Sequence, residues 1–336
     1  MSIDSSWGST HLQRSEIFRE MFKEAQLEPT YAQQWVNWIG DIPADSIRTT
    51  LKVNSLSELE VDNWAESQAL PERRMDTGQF TFNIDEFKGI KVPFTDHFFE
   101  TSFQANQVLQ STPAKMKRAH DVYMETKFLE TINDGQTANT ANVINNGNHR
   151  IVASGDGSTA PADSLTLSDF SYANYSLNKA QAPVQGRIAI VDAVTAHNMN
   201  VKSNIVDISN NPMWEGLVTE GHLDGTGLRF MRNIYGFDVY VSEFLPEISA
   251  DEAALTTYNG TAPQAADISG YKANYFMAIG GDASPVIGAM GRQPRFVSWR
   301  DEDVETEYHQ LTQSFGFGLY RPENAITVLA DSSAIA

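Results

Sequence analysis

The 336-residue sequence contains no cysteine. That excludes disulfides, thiolate nucleophiles and cysteine-ligated zinc. It also has no apolar run near the roughly 20 residues a helix needs to cross a bilayer. The segment Met1 to Thr10 shows no basic stretch followed by an apolar one, so secretion by a cleaved signal is not expected. Positive charge is scarce: 24 Lys and Arg face 43 Asp and Glu, a formal charge of −19. Such a balance opposes phosphate-backbone binding, which requires a clustered basic surface. The dense basic stretches are Arg73-Arg74 and Lys115-Met116-Lys117-Arg118.

Signatures of catalysis are missing too. His11, His97, His120, His149, His197, His222 and His309 are scattered, and none belongs to a His-Glu-x-x-His pair. Gly221 to Gly227 is glycine-rich but lacks the Lys-Ser/Thr of a phosphate loop. Gly280 to Gly288 has no strand and helix around it of the kind a dinucleotide fingerprint needs. The acidic run Asp301 to Glu305 does not have calcium-loop spacing. The expectation is a protein that is not an enzyme, with no catalytic residue, metal ligand set or cofactor.

What is present is shape-making sequence. Hydrophobic residues form 41% of the chain, enough for a core. Ile17, Phe18, Met21, Phe22 and Ala25 share one helix face; after Pro29 a second short helix is expected to carry Tyr31, Trp35, Trp38 and Ile39. Phe80, Phe82 and Ile84 alternate with polar residues, and Ile90, Val92 and Phe94 continue after a bend expected at Gly89. With Leu51-Lys52-Val53 before them, they predict a long two-stranded excursion with a polar tip at residues 65–78. Ser111-Thr112-Pro113 predicts a helix start, with Thr112 as cap and a buried stripe from Met116 to Ile132. A capped helix over 168–178, a buried strand Gly186 to Val191 and strands near 237–241, 275–279, 295–299, 306–315 and 326–329 complete the reading. Gly236, Gly316 and Gly318 mark expected chain reversals.

Three phrases are specific: Pro183-Val-Gln-Gly-Arg-Ile-Ala-Ile-Val-Asp192, Asn233-Ile-Tyr-Gly-Phe-Asp-Val-Tyr-Val-Ser242 with Leu245-Pro246, and Gly316-Phe-Gly-Leu-Tyr-Arg-Pro-Glu323. With the order of elements, they make the chain resemble the Hong Kong 97 fold of tailed double-stranded DNA phage capsid proteins, shared with bacterial encapsulin shells. The resemblance implies an α+β chain divided into an N-terminal arm (1–50), an extended loop (51–95), a peripheral domain (96–175, spine helix 113–134), an axial domain (176–291) and a return to the peripheral domain (292–336). Ala193 stands where the family often has proline.

The resemblance implies a major capsid protein that assembles with copies of itself, as hexamers and pentamers, into an icosahedral head around the phage DNA. The DNA is enclosed without sequence-specific binding, and no membrane partner is implied. Fifty residues ahead of the loop cannot hold the coiled-coil assembly segment of some relatives, so a separate scaffolding protein is implied. A portal protein and a decoration protein are further partners of that kind of shell. Location in the virion, after assembly in the host cytoplasm, follows. An encapsulin-like nanocompartment shell is the alternative. Relatives that crosslink use a loop lysine; Lys88 and Lys91 are available, and no partner asparagine matches. The residues expected at assembly contacts are Trp35 and Trp38 in the arm, Arg73 and Arg74 at the loop tip, Phe80 and Phe82 along it, and Arg321 with Glu323 at the closing sheet.

Overall fold

Period-two alternation dominates the second half of the chain, and there it builds the longest strands. The computed structural model describes residues 30, 32–39, 50–56, 77–102, 105–138, 143–144, 147–153, 165–201, 230–248, 270–280 and 283–331. The first half contains α1 (Ala32–Trp35), β1 (Asn37–Trp38), β2 (Thr50–Leu56), β3 (Thr77–Asn83), β4 (Glu86–Thr95), α2 (Asp96–Thr101), α3 (Ala105–Ala138), β5 (Val143–Ile144), β6 (Gly147–Asn148) and β7 (Arg150–Val152). The second contains α4 (Leu167–Lys179), β8 (Arg187–Val191), α5 (Ala193–Val201), β9 (Phe230–Ile234), β10 (Phe237–Val241), β11 (Lys272–Ala278), β12 (Val286–Asp301), β13 (Thr306–Leu319) and β14 (Ala325–Ala330).

Two sheets share α3. A four-stranded sheet runs β1-β12-β13-β4, and a six-stranded one runs β7-β14-β11-β8-β10-β9. Along β8, Ile188 and Ile190 enter one hydrophobic cluster while Ala189 and Val191 enter another, as alternation across a buried sheet requires. On one face of the six-stranded sheet α4 places Phe170, whose ring lies 4.9 Å from Phe276. On the other face α3 contributes Phe128, Leu129 and Ile132, and Tyr275 Oη donates to the Leu129 carbonyl at 2.9 Å. The earlier part of α3 packs on β13 and β4, with Tyr123 against Phe315. At 34 residues this helix is about 51 Å long, enough to tie both sheets together.

Several expectations need correction. The spine helix starts eight residues before Pro113, and Thr112 is not its cap: Thr112 Oγ1 donates to the Val108 carbonyl at 2.7 Å. Pro113 inside the helix removes the donor for the Leu109 carbonyl, a costly change. Burial of Ala105, with Val108 and Leu109 packed against Phe94 and Phe98, offsets it. The short helix α1 ends at Trp35, and Trp38 lies on β1, parallel to β12, because pairing with Ile287 and Gly288 satisfies the backbone there. Gly89 is not a bend; it pairs with Thr312 in the middle of β4, and the chain breaks instead at Ile84-Asp85. β4 therefore leaves the extended loop and joins the four-stranded sheet, so the loop is the β2–β3 hairpin alone.

The last strand also departs from the reading. β14 pairs with β11 and β7 in the six-stranded sheet, so residues 325–330 do not finish the four-stranded one. β7 likewise sits in that sheet, although it falls within residues 96–175, which the resemblance places in the peripheral domain. Gly236 does make a reversal: Tyr235 and Gly236 both have positive φ between β9 and β10. Gly316 and Gly318 do not. They lie within β13, where the hairpin comes too close for side chains. The helix expected over 11–28 and the polar tip at 65–76 lie outside the described residues.

Candidate assembly surfaces

The β2–β3 hairpin is held at its root by aromatic packing on β13. Seven residue pairs join the two strands, from Thr50 with Asn83 to Leu56 with Thr77. Its apolar face, Leu51, Val53, Phe80, Phe82 and Ile84, clusters with Ile287 and Ala289. The Phe80 ring lies 6.0 Å from Phe82 and 5.5 Å from Tyr320, and the Arg321 guanidinium lies over the Tyr320 ring. The opposite face carries exposed Thr50, Lys52, Asn54, Gln79 and Asn83; Thr50 Oγ1 donates to Asn83 Oδ1, and Gln79 to Asn54.

Sequence thus brings Phe80, Phe82 and Arg321 together, but in contacts within one chain. Phe82 is buried and Phe80 half-buried, and both anchor the hairpin. Trp35 is buried in the main core beside Tyr240, with its carbonyl accepting from Ser284 Oγ at 2.6 Å. Trp38 lies over Gly288 with its ring 5.7 Å from Phe317. These tryptophans fasten residues 35–39 to their own body, because a glycine on β12 leaves room for an indole. Glu323 sits in a 3-10 turn, Pro322–Asn324, and is half-buried. Arg73 and Arg74 lie outside the described residues.

Electrostatics bears on the lysines considered for crosslinking. Lys88 lies 3.3 Å from Glu86 and over the Tyr123 ring; hydrogen bonds to Tyr123 and to Glu86 raise its pKa. A lysine held in its ammonium form is the opposite of an activated nucleophile. Lys91 stands 3.8 Å from the Tyr308 ring centre and 4.9 Å from that of Trp299. Both lysines belong to β4, not to the hairpin. Burial pushes the Glu86 carboxyl up, but the Tyr123 hydroxyl at 2.7 Å and Lys88 outweigh this and hold it below 4.5. A lowered carboxylate stabilises the fold above its ordinary range and loses that contribution as pH falls through its folded value. Tyr123→Phe is therefore expected to cost about 1 kcal/mol at neutral pH. The difference shrinks once Glu86 is protonated, and urea unfolding at neutral and strongly acid pH measures it.

Residues that sequence reading passed over hold the second sheet. Lys272 Nζ donates to Asp192 Oδ1 at 2.7 Å and to Glu243 at 3.3 Å, and the Asp192 side chain is fully buried. The same carboxylate accepts from the Val194 N–H at the start of α5. Asp192 ended one of the family phrases, so its position was visible; Lys272, eighty residues on, was not. His120 and His149 are buried, with burial lowering their pKa, and His149 Nδ1 meets the Ala325 carbonyl at 3.0 Å. Among the described residues no three His, Asp or Glu gather as a metal site, and no helix is long and apolar enough to cross a membrane.

No protein-family model matches the sequence, and no curated protein matches it. Solved structures do match along nearly the whole chain. The capsid of cyanophage P-SCSP1u is 12% identical at a TM-score of 0.66, covering 98% of this chain and 96% of that one. A Mycobacterium phage Che8 chain is 15% identical at 0.59, with coverage of 95% and 97%. A Synechococcus elongatus encapsulin is 10% identical at 0.56, with 94% of each chain covered. A long helix shared by two sheets, a projecting hairpin rooted on glycines and agreement from end to end with phage coats carry one conclusion: this chain has the Hong Kong 97 capsid fold.

Proposed function

We propose that the protein is the major capsid protein of a tailed phage, a non-enzymatic subunit of an icosahedral head. The observation that carries this is two-way coverage: phage capsid chains are matched over almost their full length, leaving little of either chain unaccounted for. A shell of this kind is made from heterologous contacts, in which one patch meets a different patch and rotation closes the ring. The β2–β3 hairpin supplies reach; many weak contacts per subunit add to a strong lattice. Hexamers and pentamers of the chain, a scaffolding protein, a portal and a decoration protein are the partners of this reading. Packaged DNA is enclosed rather than recognised, and the −19 charge keeps it from adhering to the wall. Assembly takes place in the host cytoplasm and the product is the virion. In this reading the arm, loop, peripheral and axial parts of the chain have assembly roles, with β4 moved from the loop to the four-stranded sheet and β7 and β14 to the six-stranded one.

The encapsulin match supports a second reading, a cargo shell that closes without scaffold. Negative-stain electron microscopy of the expressed chain separates them. Uniform hollow particles that form only when a scaffolding protein is co-expressed support the phage head. Closed shells from the chain alone support the cargo compartment, and small soluble species under both conditions count against both.

A further inference from the structure

The outermost strand of the six-stranded sheet, β7, is three residues long, and among the described residues it pairs with β14 alone. An edge held by so few bonds opens locally before the rest of a sheet does. At its far end the Ala153 N–H donates to the Leu329 carbonyl at 2.8 Å. At its near end is His149, on the bend between β6 and β7, and it binds β14 twice. Its carbonyl accepts from the Thr327 N–H at 2.9 Å, and its ring Nδ1 donates to the Ala325 carbonyl at 3.0 Å. Because a carbonyl can only accept, the neutral ring must carry its proton on Nδ1. The other ring nitrogen, Nε2, is buried and meets no hydrogen-bond partner among the described residues. As a lone pair it is tolerated there. A protonated ring would put a charged N–H in the same place, with neither water nor an acceptor, and that is costly.

We infer that His149 is an acid-sensitive latch: neutral, it fastens β7 to β14, and protonated, it releases that edge of the sheet. No nearby anion compensates for the charge. Burial and the Ala325 carbonyl are what shift the imidazole; the charged groups on the surrounding elements, Arg150 on β7, Asp134 on α3, Asp169 and Lys179 on α4 and Glu323 before β14, do not. Arg150 is itself a cation, donating to Asn133 Oδ1 at 2.7 Å, and the Asp169 carboxylate accepts from the Thr166 N–H at 2.8 Å. β14 carries no titratable side chain. Burial outweighs the carbonyl and holds the imidazole below its ordinary 6.5. The stability it contributes is therefore complete above that value and is lost as pH falls from there toward the folded pKa. Release is local, since β14 keeps six pairs with β11. It bares the Thr327 N–H and the Leu329 carbonyl, an edge that a further strand can occupy. A subunit outside any shell carries the same latch. His120 is the internal comparison: it too is buried with Nε2 unpartnered among the described residues, but Asp121 favours its charged form and it lies on α3, away from the edge strand.

Hydrogen exchange of the unassembled chain at about pH 7.5 and about pH 5, corrected for the intrinsic rate at each, tests the latch. On acidification, protection of the Thr327 and Ala153 amides is expected to fall at least about threefold more than that of Ala189 and Ile190 in β8. His149→Gln keeps an N–H donor but cannot take up a proton, and it is expected to erase the difference. His120→Gln is expected to leave the difference in place. An equal fall in β14 and β8 of the wild type overturns the latch, because the loss is then global. A difference that survives His149→Gln, or that vanishes in His120→Gln, overturns it as well. Circular dichroism at about pH 7.5 shows whether each variant folds. Where His149→Gln does not, the wild-type comparison and His120→Gln decide by the same criteria.

Discussion

Lys272→Met is expected to destabilise the subunit by about 3–5 kcal/mol, the usual cost of stripping a buried charge of its partner. The cause is Asp192, whose carboxylate is fully buried and loses the ammonium 2.7 Å away. Methionine fills the space of the lysine stem but gives no donor. Asp192→Asn in the same chain is expected to recover most of the loss, since it removes the stranded charge and keeps an acceptor for the Val194 N–H. Urea midpoints of the three variants measure this. If Lys272→Met unfolds within about 1 kcal/mol of wild type, the pair is not a structural clamp. The pH dependence has a definite sign. Burial pushes the Lys272 ammonium down, but Asp192 and Glu243 outweigh it and hold the pKa above 10.5. A raised lysine contributes fully below its unfolded pKa, and its contribution is lost as pH rises through the folded value. Wild type is therefore expected to soften in strong alkali, and the double variant to soften less.

Gly316→Ala is expected to cost about 3 kcal/mol, the upper part of the range for inserting atoms into a packed core. A Cβ at Gly316 would lie 2.2 Å from the Asn83 carbonyl oxygen and 2.9 Å from Ile84 Cα. Both are backbone atoms at the turn between β3 and β4, so no rotamer change can relieve the clash. The hairpin root must lift from β13, which also withdraws Phe82 and Ile84 from Ile287 and Ala289. Gly318→Ala makes the informative comparison. There the nearest atoms are the ring edge of Phe80 and the Phe82 Cβ, each at 3.0 Å, and the ring can turn. A thermal melt is expected to show a several-fold larger drop for Gly316→Ala than for Gly318→Ala. Equal drops would mean that the hairpin root is not pinned by backbone contact.

The same glycines show what the sequence made legible. The phrase Gly316-Phe-Gly318 was recognisable as important, and the strand around it was readable from its alternation. Its purpose was not, because a glycine needed for a reversal and one needed for close approach look alike until the approaching segment is known. Trp35 and Trp38 teach a related lesson. Aromatic surface on a short terminal segment implied something to cover it; whether that cover was the same chain depended on Gly288, some 250 residues away. The start of α3 was hidden by Pro113 and two hydroxyl residues, strong local signals for a cap that tertiary contacts with Phe94 and Phe98 override. Lys272 was invisible for one reason: its meeting with Asp192 depends on register across strands, and a single sequence does not state register.

Strand order has a last consequence, for synthesis. β14 occupies a slot between β7 and β11, and the five strands that surround it are all translated earlier. The sheet stays split until residues 325–330 leave the ribosome. A polypeptide interrupted before then retains a gap with unpaired backbone along both walls, a target for chaperones and proteases. Unfinished chains are thereby kept out of an ordered lattice, where a single malformed member would strain all its neighbours.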